Sequence, residues 1–383
     1  MELYDFAVIG SGIAGLYVAD TLSSFGAKVV VLDRHRTIGA EASTRNGGYV
    51  HAGGFHSATL LDDAEAHQTA RDCIAGAERL RSRFPEARIE AGGDIHLLFR
   101  TEERLLAAQS RWFTSGVVAN VVGKKFLQKR YPNLDTGAVG GAAAVEDFPI
   151  NTRIVLMKLF VNAKRNKVEF RLGSEQIETS GGIVSFHRDS ERHVLQCEKV
   201  IFCTGAGTHP SIVKKLCNVN RFISIWKSHV LVAPEMDGIG FMFVDSGDVS
   251  VTPQDGYSVV CTRGDELKID QVNRDLDIST IEKNFSALCR AVPSMLRFRS
   301  EIRPHCCLKL SLDKQPDEVR NVSCRIVVLN EFEIFAAPGK FTTAPILADL
   351  VLRSVASSEF GSSIALRPGD VPSFTRSLEA AAT

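Results

Sequence analysis

The sequence predicts an α/β protein in which a Rossmann-like dinucleotide-binding domain is interleaved with a substrate domain built on a mixed or antiparallel β-sheet. Three observations predict it. At the N-terminus a short apolar run ends on a glycine-rich turn that opens an amphipathic helix. Strand-to-glycine transitions recur near residues 204 and 339. Between residues 221 and 303, β-like runs follow one another with Gly, Asp and Pro between them.

Residues 4–9, YDFAVI, read as a strand that leads into Gly10-Ser-Gly12-Ile-Ala-Gly15, after which LYVADTLSSF has helical spacing. Each glycine has its own task. Gly10 permits the tight turn, Gly12 lets the backbone approach a pyrophosphate, and Gly15 allows the helix to pack closely on the strand, with Ile13 and Ala14 completing the cofactor-binding turn. A diphosphate is stabilised there by the free N–H groups and the positive end of the helix dipole. Residues 28–32 form a second strand ending on Asp33, placed to accept from an adenosine ribose, with Arg34 beside it at the cofactor. This pattern specifies a dinucleotide without separating FAD from NAD.

Residues 39–54, GAEASTRNGGYVHAGG, are rich in Gly, Ser, Thr and Asn where a nicotinamide dehydrogenase would continue into another helix and strand. The segment resembles the flavin-binding turn of the D-amino-acid oxidase, glycine oxidase and glycerol-3-phosphate dehydrogenase superfamily, with local similarity to L-2-hydroxyglutarate dehydrogenases. Arg45-Asn46-Gly47-Gly48 resembles the RNGG of certain amine oxidases, and His51-Ala52-Gly53 is similar to the HAG or HSG of the hydroxyacid and glycerol phosphate branch. The resemblance implies FAD as the cofactor, held at this turn by Ser43, Thr44, Arg45, Asn46, Gly47 and Gly48. KVIFCTGAGT resembles the superfamily's second conserved strand and brings Thr204 and Gly205 to the cofactor. The last flavin-domain unit is matched by FEIFAAPGKFTTAP, which implies that Pro338, Gly339, Lys340, Phe341 and Thr342 face the isoalloxazine; the turn departs from the family's Gly-His-Gly.

Helix-favouring residues fill 62–83, Gly92-Gly93 introduces the apolar stretch 95–99, and 101–113 is again helical. Residues 151–164 read as a helix capped at Asn151 or Thr152, before a strand-like stretch at 167–172. Val194–Gln196 and Lys199–Cys203 are expected as separate strands, followed by HVLVAP, GFMFVD and YSVVCTR, then RIVVLN and the helix ILADLVLRSV. The expected organisation is an FAD-binding domain from residues 1–90, 148–215 and 316–383, and a substrate domain from 91–147 and 216–315, with a frayed tail at 370–383.

The chain has 383 residues with 45 basic and 45 acidic side chains, so no overall field gathers nucleic acid or an anionic surface. Nine cysteines without CxxC spacing read as reduced thiols, and no metal site is expected. With no basic leader and no apolar run near the ~18 residues of a membrane span, the expected location is cytoplasmic.

Enzymes of the resembled class take a hydride to flavin N5 from a carbon that bears an amine or a hydroxyl. A small-acid substrate needs a planar cationic clamp, for which Arg303 is the candidate because Arg303-Pro304 resembles an element preceding the final flavin unit. His305 shares its strand face and is a secondary base; His51 is a base or a hydrogen-bond partner of the flavin ring. Lys340 could stabilise anionic reduced flavin or superoxide through its charge. Adjacent Cys306 and Cys307 point to opposite faces of a strand, so no redox-active disulfide is expected between them. The leading expectation is oxidation of a 2-hydroxy acid, with oxygen or a quinone as electron acceptor. The alternatives are an amine or amino-acid oxidase, an aromatic hydroxylase and a non-catalytic flavoprotein.

Overall fold

The computed structural model describes residues 1–90, 95–236, 240–245, 247–313, 320 and 322–356. Gly92-Gly93 and the tail at 370–383 lie outside the described residues. In the first sheet, strands Glu333–Ala337, Glu191–Phe202, Glu2–Ile9, Val29–Asp33 and Glu169–Leu172 lie side by side in parallel, with Arg325–Asn330 antiparallel at one edge. Period-two alternation along Glu2–Ile9 sends Phe6 and Val8 to one face and Ala7 and Ile9 to the other. On the first face pack helices Ile13–Ser24, Thr152–Arg165 and Ala344–Ala356, through Leu16, Val155, Leu159, Leu347 and Val351. The second face is covered by Val184 and Phe186 of an antiparallel hairpin and by Ile212 and Leu216 of helix Pro210–Asn218. The sequence patterns at 151–164 and 4–24 thus correspond to elements that wrap one sheet. Asn151 caps its helix, its side chain accepting from the N–H groups of Arg153 and Ile154 at 3.2 and 3.3 Å.

The two short strands expected around residues 194–203 are one strand, Glu191–Phe202. Its first half alternates exposed and buried residues and pairs antiparallel with Ile183–Arg188, whereas its last three residues, Val200, Ile201 and Phe202, are all buried beside Glu2–Ile9. Cys197 and Glu198, which separate the two expected strands, are a buried and an exposed position of this one strand.

A nine-stranded mixed sheet forms the other layer. HVLVAP is the end of a longer strand, Phe222–Pro234, which pairs with Arg303–Asp313 from Phe222↔Asp313 to Val232↔Arg303. Tyr257–Thr262, Val249–Gln254 and Phe241–Phe243 follow antiparallel, and the sheet continues through Ile95–Phe99 in its single parallel pairing among the described strands. Gly141–Val145 and Ala119–Val121 follow at that edge, and Leu267–Ile269, paired with Phe222–Pro234, is the ninth strand. Between the layers a small ribbon pairs Tyr49–Val50 with Phe148–Pro149.

Candidate active site

A cavity of about 1120 Å³ opens where the carboxyl ends of the parallel strands, at Ile9, Asp33, Phe202 and Ala337, meet the second sheet at Trp226, Met242 and Leu308. Ligands bind parallel α/β sheets at this end because the strand-to-helix turns converge there. The cavity exceeds a typical small-molecule pocket, so it has room for a dinucleotide and a substrate together.

The glycine turn fits the diphosphate of FAD on structural grounds. Gly10 has φ +111°, and a Cβ there would meet the carbonyl oxygen of Cys203 at 2.5 Å. Gly12 caps its helix without a side-chain hydrogen bond and lines the cavity with Ile13 and Ala14. Free donors of the first turn and the helix dipole are thus available to an anion. Ser43 reaches this turn too, its Oγ accepting from the Ile13 N–H at 2.9 Å. Gly15 lies behind the cavity, against the Gly10 backbone, as its packing role requires. Asp33 already accepts from Ser11 N–H at 2.6 Å, Ser11 Oγ at 2.7 Å and His35 N–H at 2.8 Å. A carboxylate has about four acceptor sites, so one remains for a ribose hydroxyl. Arg34 also lines the cavity, and at 3.2 Å from Glu41 it lies close above Gly207.

The flavin-binding turn divides into a lining side and a supporting side. Ser43, Asn46 and Gly47 line the cavity. Thr44, Arg45 and Gly48 do not: Thr44 Oγ1 donates to Gly39 O at 2.7 Å, Arg45 Nε to Ala40 O at 3.3 Å, and Gly48 packs on the Gln254 amide. These residues hold the turn from behind. Thr204 and Gly205 line the cavity, as do Pro338, Gly339, Lys340, Phe341 and Thr342. Gly339 has φ +70° and a Cβ on it would stand 2.0 Å from the Val322 carbonyl oxygen, which explains a glycine at that turn. Thr342 Oγ1 accepts from the His51 N–H at 3.1 Å and joins the last turn to the flavin segment.

Of the candidate chemical residues, His51 and Lys340 line the cavity, whereas Arg303 and His305 do not. Arg303 is exposed and spends its guanidinium on the carbonyls of Ser300 and Ile302, at 2.7 and 3.2 Å. His305 Nε2 meets Arg45 O at 3.1 Å, and burial lowers its pKa. Their strand enters the cavity only from Cys307 to Leu310.

Other cations face the cavity. Arg263, Lys309 and Arg320 line the cavity, and sequence reading passed over all three. Glu266 accepts from Lys309 and, at 3.2 Å, from Arg320, which also donates to Gly339 O at 3.0 Å. Burial pushes the Glu266 carboxyl up, but Lys309, Arg320 and Lys340 outweigh it and hold it well below the usual range. Burial, aided by Arg320 and Lys309 and opposed by Glu266, brings Lys340 down to about 7. Burial is also the first cause of the lowered pKa of His51 and of the strongly lowered one of His56. Both imidazoles are therefore neutral at pH 7. The thiols of Cys261 and Cys307 line the cavity with pKa values raised by burial, which disfavours the nucleophilic thiolate. Cys306 and Cys307 are free thiols, as the strand alternation implies.

The description of the FAD dependent oxidoreductase family DAO matches residues 5–352. Glycine oxidase from Geobacillus kaustophilus superposes with a TM-score of 0.71 at 14% identity, covering 92% of this chain and 94% of that one. L-proline dehydrogenase from P. horikoshii gives 0.72 at 15% identity over the same shares, 92% and 94%. For L-alpha-glycerophosphate oxidase from Mycoplasma pneumoniae with FAD bound, the values are 0.71 and 18%, again over 92% and 94%. These likenesses show a shared fold. In sequence, 79 residues are 38% identical to the mitochondrial L-2-hydroxyglutarate dehydrogenase of Arabidopsis thaliana, a match over 21% of this chain and 15% of that protein's length. Among the described residues no helix is long and apolar enough to cross a membrane, and no acidic, histidine and cysteine group has metal-ligand proximity.

Proposed function

The chain belongs to the DAO family of FAD-dependent oxidoreductases, and from that premise we propose that it oxidises a small carboxylate-bearing substrate at a CH–OH carbon, of the 2-hydroxy acid type. Bound FAD supplies the two-electron acceptor for the hydride that leaves the substrate carbon. The FAD is held by the glycine turn at Gly10–Gly15, by Ser43, Asn46 and Gly47, and by the turns at Thr204 and Pro338. We assign FAD binding to segments 1–90, 148–215 and 316–356 and substrate binding chiefly to 95–147 and 216–313, in keeping with the two sheets.

The observation that carries the hydroxy-acid reading is the sign of charge in the cavity. Around Lys340, itself a partly charged amine, Lys309 and Arg320 share the carboxylate of Glu266, and Arg263 also lines the cavity; its other acids are Asp33, Glu41, Glu175 and Asp248, of which Glu41 and Asp248 are already paired with Arg274 and Arg100. A 2-hydroxy acid brings one negative charge and no positive one, whereas an amino acid also brings an ammonium into that cationic surrounding. Arg263 and Arg320 bring guanidinium groups to the cavity; Arg263 donates to Val244 O and Arg320 to Glu266 and Gly339 O, and the remaining N–H donors of each can serve a carboxylate. His51, neutral at pH 7, takes the hydroxyl proton. Dioxygen or a quinone then accepts the electrons.

An absorption spectrum followed by anaerobic titration tests this. Flavin bands that bleach with 2-hydroxy acids and persist with amino acids are the expected result. Bleaching by amino acids alone selects oxidation at CH–NH instead, and a protein that cannot be loaded with FAD removes the basis of the proposal.

A further inference from the structure

Three buried polar atoms without hydrogen-bond partners meet beside the cavity: Asp147 Oδ2, His51 Nδ1 and the Tyr49 hydroxyl. The Asp147 side chain is 0% exposed and the His51 side chain 12%. One carboxylate oxygen of Asp147, Oδ1, accepts from the Ala52 N–H at 2.6 Å; the other, Oδ2, stands 3.6 Å from His51 Nδ1. The rings of Tyr49 and His51 lie with centroids 4.6 Å apart and their planes tilted by 49°. All three come to one place because Tyr49–Val50 pairs with Phe148–Pro149, which sets His51, just after Val50, opposite Asp147, just before Phe148, beyond one end of the ribbon. A desolvated carboxylate is costly unless donors surround it, and the two neighbours lacking partners are a phenol, which donates, and a ring nitrogen, which donates in one tautomer. One acceptor thus faces two donors.

We propose that Asp147 is a positioning residue for His51, holding the tautomer with hydrogen on Nδ1 so that Nε2 presents its lone pair to the substrate, with Tyr49 completing the carboxylate's hydrogen bonds. The inference rests on the reading of His51 as the proton acceptor. A small rotation of the imidazole shortens the 3.6 Å approach to a hydrogen bond. With substrate and FAD bound, His51 Nε2 would take the hydroxyl proton as the carbonyl forms, and FAD would supply the two-electron acceptor for the hydride of the broken C–H bond. The resulting imidazolium then donates from Nδ1 to Asp147 and from Nε2 towards the product oxygen. Of the groups that act on His51, Lys340 and Lys309 oppose its cation and Asp147 favours it. The neutral rings of His56 and Phe55, at centroid distances of 4.6 and 5.7 Å, flank it without a countercharge.

The test uses holoenzyme labelled with ¹⁵N-histidine, together with Asp147→Asn and Asp147→Glu. In the unsubstituted protein the His51 resonances, assigned through His51→Gln, should report hydrogen on Nδ1; hydrogen on Nε2 overturns the proposal. Asp147→Asn should keep FAD, lower kcat by about 100-fold or more, and shift the acid limb of kcat/KM to lower pH, because the group favouring the imidazolium is gone. Asp147→Glu should recover part of the rate. An Asn variant with an unmoved acid limb and an unchanged tautomer overturns the proposal even if its rate falls. The tautomer is read without substrate, so it stands apart from the hydroxy-acid reading: bleaching by amino acids alone would end that reading and leave the tautomer measurement intact.

Discussion

Gly15 and Gly10 are in direct backbone contact, so close that a Cβ on Gly15 would lie 1.8 Å from the Gly10 carbonyl oxygen. The helix can pack onto the first strand only because that carbon is absent. Gly15→Ala should push the helix off the turn, cost about 1–3 kcal/mol, and lower both Tm and flavin content. Gly26 provides the contrast: its φ is +87° and nothing lies within 4 Å of its missing Cβ. Gly26→Ala should therefore cost only the left-handed backbone penalty, about 1–2 kcal/mol, with flavin content retained. Thermal melts and the ratio of flavin to protein absorbance distinguish the two.

Gly12 differs again, because a Cβ there meets only Ser43 Oγ, at 3.0 Å. The fold tolerates that substitution, but the methyl groups of valine would occupy the approach of the diphosphate. Gly12→Val should leave the far-ultraviolet circular dichroism unchanged and weaken FAD binding by about 100-fold, roughly 2.7 kcal/mol. Flavin titration by fluorescence quenching checks it, and normal affinity would displace the cofactor from this turn.

The cationic clamp is tested by comparing arginines. Arg263 and Arg320 line the cavity, and Arg320 is buried with its Nε unpartnered. A charge-assisted hydrogen bond contributes about 1.5–3 kcal/mol, so Arg263→Met or Arg320→Met should raise KM for a carboxylate substrate about 10- to 100-fold. Arg303→Ala, at an exposed site that bonds its own backbone, should leave steady-state constants unchanged. Equal losses in all three variants would contradict this assignment.

The reasons Arg303 was a plausible sequence candidate and Lys309 was not show what a sequence can reveal. Residues 303, 305, 307 and 309 share one face of a strand, and of these only Cys307 and Lys309 line the cavity. Position along the strand decides the rest: at about 3.3 Å per residue, Arg303 and Lys309 stand about 20 Å apart, and nothing local marks where the cavity lies. The cofactor turn was legible because Gly10, Gly12, Gly15 and Asp33 act through contacts within one strand–helix–strand unit. His51 and Lys340 were legible for a similar reason, each lying next to a glycine turn that faces the cavity. Glu266, Arg320 and Asp147 reach the site from separate segments, brought together by sheet register and by the ribbon at Tyr49, which no single-sequence pattern encodes.

Lys340 makes the last prediction, through its pKa. Among the described residues it has no hydrogen-bonded carboxylate of its own, since Glu266 is engaged by Lys309 and Arg320. Burial lowers it from 10.5 to about 7 in the folded chain. Between pH 7 and 10.5 the unfolded chain therefore binds one more proton at this site than the folded one. Stability consequently rises with pH across that window, while below about 7 both states are protonated and the burden of the buried cation is constant. In flavin-free protein, Lys340→Met should be the more stable at pH 7, and its advantage over the unsubstituted chain should shrink towards pH 10. Urea midpoints for the two proteins, taken as a difference at each pH, remove the titration of all other groups. A difference that does not vary with pH would mean that Lys340 stays fully charged in the fold, and its amine would then act on the substrate as a fixed positive charge.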